Sequence, residues 1–279
     1  MHFSLVIGEA LSKSERAQVE RIIEETFSEV HTIFNNWNPD SELSQLNRMP
    51  AHQRVIISPQ LLLLLLKVDA LFRLSEGRFD PTIEPLQQLW KSHLKRGILP
   101  KSEDIHRLLP AIGWEHIHFD QGMFWKDHDL TAIDLGGIVK GYAVDLLTEK
   151  LEHQGFSSLY VEWGGEVRTS GLHPSGRQWR VGIPGLSAIE MENGALATSG
   201  DYCQCWDIEG VTYFHIIDPQ TKQPLTRSSK SIASATVLAP SCTWADGLAT
   251  ILMLFESPEE AQHWAENLYS VQCWIGTRK

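Results

Sequence analysis

Apolar and polar positions alternate or recur along this chain in ways that predict a mixture of strands and helices. Phe3 to Ile7 reads as a first strand, and Ser12 with Glu15 forms a capping-box signature. Val19, Ile22, Ile23, Phe27, Val30 and Phe34 then recur at helical spacing, which predicts a long amphipathic helix ending near Asn35. The polar, turn-rich stretch from Asn35 to Asn47 reads as a loop carrying one large aromatic, Trp37. Ser58-Pro59 predicts a helix start and Gly77 its end, so 60–76 is helical. A further helix runs towards His93, a short one covers 102–109, and a hairpin turns at Gln121-Gly122.

The apolar run from Leu130 to Leu135 reads as a buried strand that passes through Gly136 and Gly137 into a helix over 139–151. Strands are expected at 159–163, 179–183, 213–219, 231–238 and 271–275, with Ala195 to Tyr202 as a small-residue turn suited to close ligand approach. Trp244 to Phe255 becomes helical again, and Ser257-Pro258 caps a last helix. Strands and helices do not alternate regularly, several strand pairs look antiparallel, and no linker divides the chain. The expected fold is therefore α+β with mixed or antiparallel sheets, not a doubly wound sheet.

Chemistry concentrates first at Ile133-Asp-Leu-Gly-Gly-Ile-Val-Lys-Gly-Tyr-Ala-Val-Asp145. Glycines permit close approach to the backbone, N–H groups at a helix start attract anions, and Lys140 adds positive charge. A phosphate-bearing ligand fits that pattern; so does a strand-helix corner whose glycines serve packing. The spacing is neither that of a dinucleotide fold nor that of a P-loop. Trp37 could stack on a planar ligand or close the core edge. Asp80, in Gly77-Arg-Phe-Asp-Pro-Thr82, could line a site or cap the helix that follows. Asp246 and Thr250 stand four apart, on one helix face.

Composition narrows the range. Of 279 residues, 42% are hydrophobic and 21% charged, values ordinary for a globular chain. A net charge of −11 argues against nucleic-acid binding and against adsorption to anionic lipid. Four cysteines, at 203, 205, 242 and 273, are too few for a disulfide scaffold and poorly spaced for zinc, so they read as free, mostly buried thiols. No basic start followed by an apolar segment is visible, and the Leu61–Leu66 run falls far short of the roughly 20 apolar residues of a membrane span.

Several of these segments together resemble the ApbE family of flavin transferases. The segments are Pro39-Asp-Ser-Glu-Leu-Ser44, Gly77–Thr82, Ile133–Asp145, Gly164-Gly-Glu166, Ala197-Thr-Ser-Gly200, His215-Ile-Ile-Asp-Pro219 and Ala245-Asp-Gly-Leu-Ala-Thr250, in that order. The resemblance implies a single flavin transferase domain over 1–279, related to a duplicated T-fold unit. It also implies Mg²⁺-dependent transfer of FMN from FAD to a Thr or Ser hydroxyl of an acceptor protein, with release of AMP. FAD pyrophosphatase activity and FAD binding without turnover are the alternatives. Phosphoryl transfer needs a cation, balancing positive charge and a proton acceptor.

By the same resemblance the cation is held by Asp246, Thr250 and the carbonyls of Gly137 and Ala249. FAD is held by Trp37, Arg78, Phe79, Asp80, Asp134 and Lys140, and Thr198 and Ser199 join these expected contacts. His215 is the candidate general base, since an imidazole with an ordinary pKa of about 6.5 accepts a proton at neutral pH. Its alternative is a structural strand histidine, with Asp218 assisting or serving instead. Lys140 contacts the pyrophosphate. The implied acceptors are subunits of membrane redox complexes of the Nqr/Rnf type. Family members are commonly exported, often as lipoproteins, which implies the periplasmic side of the inner membrane; no signal or lipidation cysteine is visible here, so a cytoplasmic location stays open.

Overall fold

The computed structural model describes residues 2–183, 188–202, 204–228 and 231–278. The helices are α1 (Lys13–Ile33), α2 (Glu42–Arg48), α3 (Pro59–Leu74), α4 (Glu84–Leu94), α5 (Ser102–Leu108), α6 (Val139–His153), α7 (Cys242–Leu252) and α8 (Pro258–Ala265). The first strands are β1 (Phe3–Ile7), β2 (Val55–Ile56), β3 (Ile117–Asp120), β4 (Met123–Lys126), β5 (Leu159–Trp163), β6 (Glu166–Ser170) and β7 (Trp179–Val181). They are followed by β8 (Ile189–Met191), β9 (Gly194–Gly200), β10 (Cys205–Ile208), β11 (Val211–Asp218), β12 (Gln223–Thr226), β13 (Ile232–Ala239) and β14 (Gln272–Thr277). Among the described residues no helix is long and apolar enough to cross a membrane.

The chain forms two compact units, one from residues 1–30, 136–199 and 232–278, the other from 31–135 and 200–231. The first is built on a six-stranded sheet ordered β1-β5-β6-β9-β13-β14. Side-chain alternation along its strands serves two cores. Leu159, Val161 and Ala195 face Val19 and Ile22 of α1, Val144, Leu147 and Leu151 of α6, and Cys242 of α7. Val167 and Leu196 instead pack with Val181 and Met191 of the β7–β8 pair. α6 and α7 also pack against each other.

In the second unit, α4 lays Leu86, Trp90 and Leu94, with Ile83 just before it, against Ile208 and Ile217 of the β10-β11-β12 sheet. α3 buries Leu61, Leu64, Leu65, Val68 and Leu71. A second small sheet, β2-β4-β3, completes it.

The local signals for helix starts hold. Ser12 and Glu15 exchange capping hydrogen bonds, Ser58 accepts from Leu61 N–H, and Ser257 accepts from Glu260 N–H. Four expectations are corrected. Residues 130–135 form no strand, because no neighbouring strand takes their backbone groups: Asn47 donates to Ile133 O at 2.9 Å and accepts from Ile133 N–H at 2.8 Å, and Asp134 N–H goes to Pro81 O. Ala195–Gly200 is not a turn but most of β9, paired with β6. The stretch expected to be loop holds α2, capped by Ser41, whose polar outer face hid the buried Leu43 and Leu46. Cys205 is exposed rather than buried, and Cys203 lies outside the described residues.

Candidate functional site

In the first unit the glycine-rich turn and the start of α6 lie against α7. Gly141 makes this possible: a Cβ there would stand 2.2 Å from the Cys242 carbonyl oxygen and 2.8 Å from Asp246 Cβ. Gly136 and Gly137, in contrast, do not adopt positive φ, so close approach at Gly141 is what the motif's glycine supplies. Gly141 N–H donates to Asp246 Oδ2 at 2.9 Å, tying the buried carboxylate to the first turn of α6. One turn later on α7, Thr250 Oγ1 lies 3.4 Å from Gly137 O and 3.2 Å from Ser199 Oγ. Ala249 O is among the last four carbonyls of α7, which a helix leaves without internal partners.

The start of α7 is anchored from α6. Asp145 accepts from Cys242 N–H and Thr243 N–H, both at 2.8 Å, and from Thr243 Oγ1 at 2.6 Å. Arg168 of β6 donates to the same carboxylate at 2.7 Å. This buried network sets the register of Asp246 and Thr250 against the glycine turn.

Lys140 Nζ contacts Glu166 Oε1 and stands 3.7 Å from Asp246 Oδ1. Burial opposes the charge on Lys140, but Asp246 and Glu166 outweigh it and hold the ammonium protonated above the ordinary lysine range. Burial, reinforced by Asp246 and opposed by Lys140, pushes Glu166 up to about 8. Glu166 is 1% exposed, and its Oε2 has no hydrogen-bond partner among the described residues.

This donor set fits a hard divalent cation: a carboxylate, a hydroxyl and two carbonyls, with an orphaned buried carboxylate oxygen alongside. The 3.4 Å between Gly137 O and Thr250 Oγ1 is close to the edge of about 3 Å between adjacent ligands of a small octahedral ion. Among the described residues no group of three or more His, Cys, Asp or Glu is arranged to hold a metal.

In the second unit Trp37 is 77% exposed, with Lys91 Nζ 4.7 Å from its ring centroid. The core-edge alternative for Trp37 is thereby excluded; one of its ring faces carries a cation and the side chain remains largely open. Lys91 also acts on His215, whose pKa lies below the ordinary value because of burial, with Lys91 adding to the shift. Nδ1 of His215 is buried without a hydrogen-bond partner among the described residues.

Asp80 is the N-cap of the 3-10 turn at Pro81–Ile83, accepting from Thr82 N–H at 2.9 Å, and burial raises its pKa against the pull of those Thr82 hydrogen bonds. Phe79 is buried beside it. Arg78 Nη1 donates to Ser75 O at 3.4 Å. Asp134 N–H donates to Pro81 O at 2.9 Å, which fastens the Asp134 segment to the Asp80 loop. Gln87, with its amide turned to satisfy both neighbours, donates to Asp134 Oδ2 at 2.7 Å and Glu84 Oε2 at 3.2 Å. Burial and the Asp134 charge push Glu84 up to about 7. Asp218 has both carboxylate oxygens engaged at its own turn, by Gln220 N–H at 2.8 Å and Thr221 Oγ1 at 2.9 Å.

The expected residues thus fall into two sets. Gly137, Lys140, Ser199, Asp246, Ala249 and Thr250 belong to the first unit, as does Thr198, whose hydroxyl is instead bonded to Thr236 at 2.9 Å. Trp37, Arg78, Phe79, Asp80, Asp134, His215 and Asp218 belong to the second. Sequence reasoning missed Glu84 and Lys91, and it named Glu166 within a family segment without giving it a role. Glu166 directly follows a Gly-Gly pair, a signal that could have flagged it; Lys91 and Glu84 look like ordinary helix-surface charges in the sequence.

A family model described as "ApbE family" matches residues 2–275. A Chlamydia pneumoniae protein named FAD:protein FMN transferase is 45% identical over 267 residues, covering 95% of this chain and 85% of that protein. The apo structure of the Pseudomonas stutzeri flavinyl transferase ApbE superposes with a TM-score of 0.88 at 28% identity, covering 99% of this chain and 88% of that one. A histidine-to-glycine mutant of the flavin transferase ApbE from Vibrio cholerae does so with a TM-score of 0.85 at 29% identity, covering 99% and 90%. On the motifs, the arrangement of α6 and α7, and these matches, the chain belongs to the ApbE family.

Proposed function

We propose that this chain is a Mg²⁺-dependent FAD:protein FMN transferase that moves FMN from FAD to a Thr or Ser hydroxyl of an acceptor protein and releases AMP. The observation that carries the reading is the oxygen-lined group of Asp246, Thr250 and Gly137 O with the Lys140 ammonium beside it, in a chain whose relatives bear that name. Bound Mg²⁺ would neutralise pyrophosphate oxygens and polarise the phosphorus towards attack.

Lys140 supplies a fixed positive charge for the pyrophosphate, kept protonated by its two carboxylates. Asp145 and Arg168 hold α7 so that Asp246 and Thr250 stay in register. Trp37 offers an open aromatic surface to a ring of FAD, and Phe79, Arg78, Asp80 and Asp134 match the family's flavin contacts. His215, neutral at pH 7 with Nδ1 unpartnered, takes the acceptor hydroxyl proton. The hydroxyl oxygen then bonds to the FMN-side phosphorus as the bond to the AMP oxygen breaks. Asp218 serves His215's strand end by forming its turn, which favours His215 over Asp218 as the base. The proposed acceptors are flavoprotein subunits of membrane redox complexes of the Nqr/Rnf type.

The test incubates the chain with FAD, Mg²⁺ and an acceptor fragment carrying a candidate flavinylation Thr. AMP release together with a fluorescent acceptor band on a denaturing gel is the expected result. AMP with only free FMN would replace the reading by a pyrophosphatase, and intact FAD held without AMP by a binding protein.

A further inference from the structure

Glu166 has a position that the reading above does not use. It opens β6 directly after a two-residue hairpin loop, Gly164-Gly165, whose φ angles of +67° and +106° suit the tight turn that matches strand twist. The Trp163–Glu166 pair closes that hairpin, so the Glu166 backbone is fixed by strand pairing on one side and by the turn on the other. Its side chain is almost fully buried; Oε1 meets the Lys140 ammonium and the residue's own backbone N–H acts on the carboxylate, yet Oε2 has no hydrogen-bond partner among the described residues. Buried carboxylate oxygens left without partners are costly, so such an atom points to a group that completes it.

The neighbourhood says what that group is. Lys140 lies between Glu166 and Asp246, and the Asp246 charge acts on Glu166 directly. Mg²⁺ dehydrates reluctantly and keeps several of its waters, whose polarised hydrogens need acceptors. Groups that accept from such waters orient the inner ligands and tune affinity.

Building on the cation site proposed above, we propose that Glu166 is a positioning residue of that site, holding Lys140 with Oε1 and accepting with Oε2 from water bound to the cation. It acts through Lys140 and the hydration shell, not through substrate.

Mn²⁺ as the probe, followed by electron paramagnetic resonance titration of the full chain, tests this without any turnover. Glu166→Gln can keep an oxygen towards Lys140 only by turning its NH2 towards the water, so it cannot accept there. Its Mn²⁺ affinity should fall about tenfold or more, while its melting temperature in EDTA and its FAD binding without metal stay near the parent's. Glu166→Asp keeps the charge but withdraws it by one methylene and should fall between the two. A Gln variant within twofold of the parent overturns the proposal; if that variant does not fold, an Asp variant of parental affinity overturns it alone. A parent that takes up no more Mn²⁺ than Asp246→Ala would instead remove the cation site itself, and the present proposal with it.

Discussion

His215, the base proposed above, is kept neutral by burial, which destabilises the imidazolium and lowers its pKa below about 6.5. The neutral ring therefore predominates at pH 7, and transfer should lose rate only as pH falls below about 6.5, with little gained between 7 and 8. The same lowered pKa means that the unfolded chain binds the proton more tightly, so His215 withdraws stability as pH falls through that range. His215→Ala should bind FAD like the parent, lose roughly 10²-fold or more in transfer rate, and lose the acid limb of the pH profile. Stopped-time assays of AMP release across pH check this; an unchanged limb would move the base elsewhere. Gly141 carries a different constraint, one of space. Gly141→Ala must push α6 from α7, because the added carbon would fall 2.2 Å from the Cys242 carbonyl. A loss of about 1–3 kcal/mol in urea unfolding is expected, together with weaker Mg²⁺ binding as the Gly141 N–H moves off Asp246.

The segment that leads to Asp134 shows why part of the fold was legible and part was not. Helices announced by local signals, such as Ser58-Pro59 for α3 or Ser257-Pro258 for α8, were readable because cap and helix are neighbours in sequence. Residues 130–135 looked like a strand because they form an apolar run, yet the partners of Ile133 and Thr131 O are the side chains of Asn47 and Lys126 rather than a neighbouring strand. Lys126, fully buried, donates to Asn47 O at 2.8 Å, Asp129 O at 3.1 Å and Thr131 O at 2.7 Å, while Asn47 brackets Ile133. No period in the sequence encodes such a clamp. β9 was hidden for the opposite reason: its small residues resemble a turn until pairing with β6 gives them a ladder. At the site, the Asp246–Thr250 spacing was visible on one helix, whereas Glu166 and Lys91 acquire meaning only beside Lys140 and Trp37. The clamp itself is testable. Lys126→Met leaves the carbonyls of Asn47, Asp129 and Thr131, the last of them buried, without their donor and should cost about 2 kcal/mol in chemical unfolding. Because the clamp lies in the chain leading to Asp134, FAD affinity should fall as well, while Mg²⁺ affinity, assigned above to residues of the other unit, should not.

Each compact unit is assembled from separated stretches of sequence, and the expected cation donors all lie in one of them. That distribution makes a sharper test than activity. A net charge of −11 will attract Mg²⁺ weakly over much of the surface, so global stabilisation alone would say little about a specific site. Specific binding at 100 times Kd should stabilise the folded state by about 2.7 kcal/mol, and hydrogen exchange locates where that stabilisation is felt. With Mg²⁺ alone, amides of the glycine turn, the start of α6 and the whole of α7 should exchange more slowly, and EDTA should reverse the effect. Amides of α3 and α4 and those of Arg78–Asp80 and Asp134 should be unchanged by Mg²⁺, and the latter two groups should become protected when FAD is added. In Asp246→Ala the Mg²⁺ effect should vanish from α6 and α7 while any diffuse surface effect persists, since the variant removes one charge from a surplus of eleven. Equal protection of α7 by Mg²⁺ in parent and Asp246→Ala would mean that the cation sits elsewhere, because Asp246 is the only carboxylate among the four groups assigned to hold it.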